Sequence, residues 1–237
     1  MPITTEFRLP LLTPWKKSRM LRFATKLLEA QHQMTGMNGK NILHYTLKKN
    51  RQHLRMNHYP KGDRIDYTTG AQYFYHCHRE NLDSTEHGHF HCFLRNKSVP
   101  KNLKPTTLPD SENNATSPMT HLIAISMNRY GQPIRLFTVN RWVSSEIWYD
   151  AKHTPGFIRR FKMTLADDPY WQILDQWVEG MLHLFAPQIA WLHELRDLNV
   201  AEQRAIPGKN NIYEDRSVEE LSEISIDLTT QIQWVLG

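Results

Sequence analysis

Five of the thirteen histidines in this 237-residue chain fall between positions 76 and 91. Two stand in Tyr75-His76-Cys77-His78-Arg79 and three in Glu86-His87-Gly88-His89-Phe90-His91-Cys92-Phe93. Each is two residues from another, and residues two apart on a β-strand project from the same face. If the two runs form a hairpin that pairs His78 with His87, then His76 opposes His89 and all five imidazoles share one side. Directly opposed residues have Cβ atoms about 4.5 to 5.5 Å apart. Three or four ring nitrogens can then converge on one ion at roughly 2.0 to 2.1 Å. A slip of one residue would divide the set between faces, so the chemistry depends on register.

This pattern predicts a mononuclear metal site with His76, His78, His89 and His91 as ligands and His121 as a further candidate. Imidazole suits zinc, iron, copper and nickel, and the expected cofactor is a divalent ion, zinc or iron first and copper after them. Glu86 is the nearest proton acceptor, and His87 beside it is assigned with Glu86 to the catalytic set. The leading functional expectation is a metal-dependent enzyme, a hydrolase or an oxygenase, acting on a small molecule. A second is a non-catalytic metal protein for storage, sensing or delivery.

Two motif families share parts of this string. The run His87-Gly88-His89-Phe90-His91 resembles the alternating motif of histidine-triad phosphoryl transferases, which would make His89 a nucleophile, although Gly88 replaces a spacer hydrophobe. The segment His89-Phe90-His91 resembles the metal motif of single-strand endonucleases, in which Tyr149 or Tyr170 would have to attack the nucleic acid. The basic amino-terminal region would then hold the strand. Residues 1–66 carry 13 Lys and Arg against 4 Asp and Glu, whereas residues 164–237 carry 4 against 13. Such a basic region can meet a polyanion, and two oppositely charged ends can equally be solvated or docked faces.

The elements that must position these residues are readable from periodicity. Thr13-Pro14 opens a helix on which Met20, Phe23, Ala24, Leu27 and Leu28 recur at helical spacing, and a second helical stretch covers Lys40 to Met56. His58-Tyr59-Pro60-Lys61-Gly62-Asp63 predicts a turn. Strands are expected at Ala71 to Arg79, Glu86 to Arg95, His121 to Asn128 and Pro133 to Asn140, with a long surface loop over 96–118. Asp168-Pro169 and Pro187 start helices, and Ser217 with Glu220 predicts a capping box ahead of a last helix through Leu221, Ile224, Leu228, Ile232 and Val235. The expected fold is α+β: an antiparallel sheet of at least four strands packed against amphipathic helices, in one domain of 1–237 that is helical over 13–56, sheet over 70–143 and helical over 165–237.

Cys77 and Cys92 fall on the faces opposite the histidines and are expected to be small buried hydrophobes. Trp142, Trp148, Trp171 and Trp177 are expected in the core, and His183 and His193 are expected to be structural. Asn140 and Arg141, after the fourth strand, are candidates for binding an anionic substrate, as are Arg79 and Arg95 at strand ends. No leader-like run opens the chain and no stretch approaches the roughly 18 apolar residues of a membrane span, which predicts a cytoplasmic protein without a membrane partner. Oligomeric state is not encoded in any pattern here.

The segments His58 to Asp63, Tyr75 to Arg79, Glu86 to His91 and Asn140-Arg141-Trp142-Val143 together resemble an uncharacterised bacterial family of unknown function, over roughly residues 20 to 195. The resemblance implies that the histidine strands and the Asn-Arg-Trp segment belong to one site.

Overall fold

The computed structural model describes residues 6–36, 39–47, 57–77, 85–108, 118–206 and 211–237. A six-stranded sheet in sequential order carries the fold: β1 (Tyr59–Ile65), β2 (Ala71–Cys77), β3 (Gly88–Arg95), β4 (Met119–Met127), β5 (Pro133–Val139) and β6 (Glu220–Ser225). Every neighbouring pair is antiparallel. The helices are α1 (Pro14–Gly36), α2 (Ile42–Leu47), α3 (Arg141–Ser144), α4 (Thr154–Arg160), α5 (Pro169–Leu184), α6 (Ala186–Arg204) and α7 (Leu228–Leu236). The fold is α+β, as the periodicities predict.

Strand alternation divides the sheet into two different faces. Tyr73, Tyr75 and Cys77 of β2, Phe90, Cys92 and Leu94 of β3, and Ile123, Ile125 and Met127 of β4 pack in one cluster with Leu27 of α1, Leu174, Trp177 and Met181 of α5, and Leu192 of α6. That side is the main core. Both cysteines lie in it as free thiols, and burial pushes the Cys77 thiol up to about 12. The other face carries Phe74, His76, His89, His91, Phe93, Ala124, Ser126 and Phe137.

Two elements differ from the sequence expectation. Residues 58–63 were expected as a turn but supply most of β1, an edge strand whose pairing jumps from Tyr59↔Tyr75 to Arg64↔Tyr73. Gly62 and Asp63 sit inside that irregularity at φ 83° and 63°. An edge strand tolerates both the proline and the bulge, because its outer groups have no ladder to complete. At the other edge, residues 220–225 form β6 and not the start of a helix. Ser222, Glu223 and Ile224 pair with Thr138, Phe137 and Leu136 of β5, and the helix is capped only at Asp227, whose carboxylate accepts from the Thr230 N–H at 2.7 Å. The capping-box reading of Ser217 and Glu220 is therefore corrected.

The loop expected over 96–118 is partly built in: Val99 and Leu108 are buried, and the Thr106 N–H donates to the Trp148 carbonyl at 2.9 Å. Residues 109–117 lie outside the described residues, as do positions 48–56 of the expected second helix. Trp148 and Trp177 are buried, Trp142 donates from Nε1 to the Val218 carbonyl at 2.9 Å, and Trp171 packs against the main core.

Candidate metal centre

The β2–β3 register pairs His76 with His89 and Phe74 with His91. This is the register that places the imidazoles on one side. Ligand nitrogens of His76, His89 and His91 all lie within 4.8 Å of one another. His89 and His91 are buried and His76 is half-buried. His78 lies outside the described residues, as does Arg79.

The hairpin can close this tightly because residue 88 has no side chain. A Cβ at Gly88 would stand 2.2 Å from the His76 carbonyl oxygen and 2.7 Å from the Tyr75 hydroxyl. Glycine inside a strand often marks such a close approach of backbones. Here it sits next to the His76–His89 pair and opposite Cys77.

A continuous row of close polar contacts runs through the site. Glu86 Oε1 lies 2.8 Å from His89 Nδ1, His89 Nε2 lies 3.0 Å from His91 Nε2, and His91 Nδ1 lies 3.1 Å from His121 Nε2. With the Glu86 carboxylate accepting from Nδ1–H, His89 presents a bare lone pair at Nε2, the tautomer a metal ligand needs. Glu86 is in turn held by the Ser126 hydroxyl, which donates to Oε2, and by Arg135, whose Nη2 donates at 3.2 Å. Burial would raise the Glu86 pKa, but the hydrogen bonds and charge of His89, with those of Ser126 and Arg135, hold it down at about 2. Arg135 also pairs with Glu220 and Glu223 of β6.

Burial, followed by the neighbouring charges of His89, His121, His76 and His58, lowers the His91 pKa well below the ordinary imidazole value. His121 falls to about 3, from burial and then from the charges of Arg196 and His89. Both rings are therefore neutral at physiological pH, with lone pairs to offer. Aromatic walls fix their planes: Phe74 lies 5.1 Å from His91, Phe137 meets His89 edge-on at 5.0 Å, and Phe93 meets His121 at 5.1 Å between ring centroids. His58 stacks on Phe74 at 3.6 Å and pairs with Asp63 at 2.7 Å.

His121 reaches this face through a bulge. Cys92 pairs with Ile123, but Phe93 pairs with His121, leaving Leu122 unopposed. Leu122 then joins the helix-side core and His121 turns to the histidine side. Without the extra residue the two side chains would exchange faces. The Leu122 carbonyl accepts from His193 Nε2 at 2.6 Å, so His193 of α6 supports the bulge from the core side. Glu146 holds the base of the same strand, its Oε2 accepting from the His121 N–H at 2.8 Å and from the Thr120 hydroxyl at 3.1 Å.

Other candidate residues are placed elsewhere. His87 precedes β3 and its Nδ1 lies 2.7 Å from the Tyr75 hydroxyl, a residue of the helix-side core, so it is not brought to the triad. Asn140 caps α3, accepting from the Arg141 N–H at 2.8 Å and donating to the Ile212 and Val218 carbonyls at 2.8 and 3.0 Å. Arg141 pairs with Glu214. These two residues tie β5 to the 211–218 segment, where the Asn140 amide is engaged on both its oxygen and its nitrogen. Arg95 donates to Gln72 Oε1 at 2.7 Å. Tyr149 belongs to the helix-side core and Tyr170 packs against it, its hydroxyl donating to the His44 carbonyl at 2.8 Å. Neither stands by the histidines, as the endonuclease reading would require. His183, expected to be structural, bonds to the Phe161 carbonyl and to Arg19 at 3.0 and 3.2 Å.

Sequence reasoning missed Ser126, Arg135 and Glu146. The first two had a usable signal, since β3–β4 and β4–β5 pairing puts His89, Ser126 and Arg135 in one row across three strands. Glu146 follows α3 in an irregular segment and had none.

No curated protein matches the chain, and no solved structure matches it. A family model described as a domain of unknown function, DUF6969, matches residues 21–226. The chain therefore belongs to the DUF6969 family, and the histidine face is built entirely within the matched segment.

Proposed function

We propose that the protein is a metal-dependent enzyme whose divalent ion is held by His76, His89 and His91. The observation that carries this reading is the convergence of three imidazole nitrogens within 4.8 Å on a sheet face where Glu86 fixes the tautomer of one of them. Two nitrogens bound to one ion at ~2.05 Å stand about 2.9 to 3.4 Å apart for ligand angles between a right angle and the tetrahedral value. The 3.0 Å between His89 and His91 fits that window. Three neutral nitrogen donors suit zinc or ferrous iron better than magnesium or calcium, which favour oxygen.

When bound, such an ion supplies Lewis-acid polarisation of a substrate oxygen. The chain's own groups do the rest. Glu86 and His121 orient His89 and His91 from behind, Phe74, Phe93 and Phe137 exclude water from their rings, and half-buried His76 marks the side from which a small substrate arrives. Held by three donors, Glu86 serves as an orienting carboxylate first. Glu86→Gln separates this orienting role from proton transfer.

Metal analysis of the purified full chain against His91→Asn and His76→Asn tests this reading. We expect about one equivalent of zinc or iron in the wild type and a loss in both variants with the circular-dichroism spectrum unchanged. Equal metal content in all three would overturn it. Burial of His89 and His91 also suits a non-catalytic holder, and water-proton relaxation with a paramagnetic ion in the site separates the two readings, because an enzyme must show an exchangeable water.

A further inference from the structure

A pocket of about 410 Å³, lined in part by His183, opens on the helix side of the sheet, away from His76, His89 and His91. Its walls come from the amino-terminal arm at Phe7 to Leu12, from α1, from Pro155 and Ile158 of α4, and from the start of α6. The arm is held against α6 by Phe7, whose ring lies 5.6 Å from that of Trp191. Met20 and Ile158, both buried, form part of the lining, while Leu11 and Trp15 stand exposed at its mouth. Volume and apolar lining are those of a small-molecule site.

The charge around this apolar space is one-sided. Arg8, Lys16, Arg19 and Arg159 line it against a single acid, Glu194. Among the described residues no salt bridge joins Lys16, Arg19 or Arg159 to a carboxylate, and Arg8 reaches only Glu6, at 3.8 Å between two well-exposed side chains. Arg19 is pre-positioned by His183, whose Nδ1 lies 3.2 Å from its Nη2, and by the Trp15 face 5.7 Å from its guanidinium carbon. Burial, and then the positive charges of Arg159 and Arg22, lower its pKa, with only Glu179 acting in the opposite sense. An apolar chamber whose mouth carries unneutralised guanidinium and ammonium groups is complementary to a molecule with an apolar body and one anionic end.

We propose that this pocket binds a small amphiphilic carboxylate, its hydrocarbon chain against Met20, Ile158 and Trp191 and its carboxylate between Arg19, Arg159 and Lys16. This site is independent of the metal reading, since the sheet lies between them.

The test is titration of the full chain with dodecanoate below its micellar concentration, followed by tryptophan fluorescence and calorimetry. We expect one saturable site per chain and about fourfold weaker binding for each methylene removed. Dodecanol should bind at least tenfold more weakly than dodecanoate at low salt. The exposed double variant Lys16→Gln/Arg159→Gln should weaken dodecanoate about tenfold and leave dodecanol unchanged, and Ala190→Trp, which fills the pocket, should abolish both without changing the circular-dichroism spectrum. Equal affinity for acid and alcohol, no saturable binding, or a response only to anionic phospholipid vesicles would overturn the proposal. So would sedimentation showing a dimer that Leu11→Ser dissociates and that excludes dodecanoate.

Discussion

His91 and His121 face each other across β3 and β4 with Nδ1 and Nε2 3.1 Å apart, although an unbroken ladder would put them on opposite sides of the sheet. The bulge at Leu122 makes the contact, and the contact gives His91 a partner at the nitrogen that does not face His89. Supporting residues of this kind typically change metal affinity by about 10- to 100-fold. His121→Asn should therefore weaken zinc binding by that amount, measured by competition with a chromophoric chelator, while leaving the stoichiometry at one. Unchanged affinity would show that His121 plays no part in the site.

Glu86 fixes His89 from the other end of the row. Glu86→Gln keeps the shape but turns a charged acceptor into an amide that competes for the Ser126 and Arg135 donors. Zinc affinity should fall by about 10- to 100-fold, with a smaller effect on thermal unfolding. If Glu86 were a proton-transfer group alone, turnover would fall and affinity would hold.

Gly88→Ala should be far more damaging than an ordinary glycine-to-alanine change in a strand, because the new methyl group meets the His76 carbonyl, which belongs to the backbone. We expect a loss of about 1 to 3 kcal/mol in urea unfolding together with weakened metal binding, since the strain falls on the His76–His89 pair. A neutral effect on both would contradict the close approach.

Acid should destabilise the protein through histidines on the helix side of the sheet. Folded His183 takes up its proton only near pH 3, mainly because it is buried, whereas the unfolded chain does so near 6.5. The unfolded state then binds more protons between these values, so the stability is fully present above about 6.5 and is lost as pH falls toward 3. His183→Gln should flatten the dependence of unfolding free energy on pH over that interval by up to ~1.4 kcal/mol per pH unit. Parallel curves for wild type and variant would show that His183 is already charged in the fold.

The four central strands were legible from their composition and bounding turns, and the facing of His76, His89 and His91 because the histidines repeat every second residue, so that a register opposing His76 and His89 puts all three on one side. His121 was named only as a possible addition, since one unopposed residue reverses its face and no local signal announces it. Asn140 and Arg141 looked like substrate groups because polar residues at a strand end are as well suited to capping as to binding. Only the distant segment at 211–218 decides. The two edge strands were missed for a related reason: Pro60 and Ser217 carry strong turn and cap signals, and the pairing partners that overrule them come from elsewhere in the chain.

Metal-edge X-ray absorption on the metal-loaded full chain tests the central claim most directly. The structure predicts a first shell of three imidazole nitrogens at about 2.0 to 2.1 Å that loses one nitrogen in His76→Asn. A shell dominated by oxygen, or a spectrum unaltered by that substitution, would place the ion elsewhere and contradict the account.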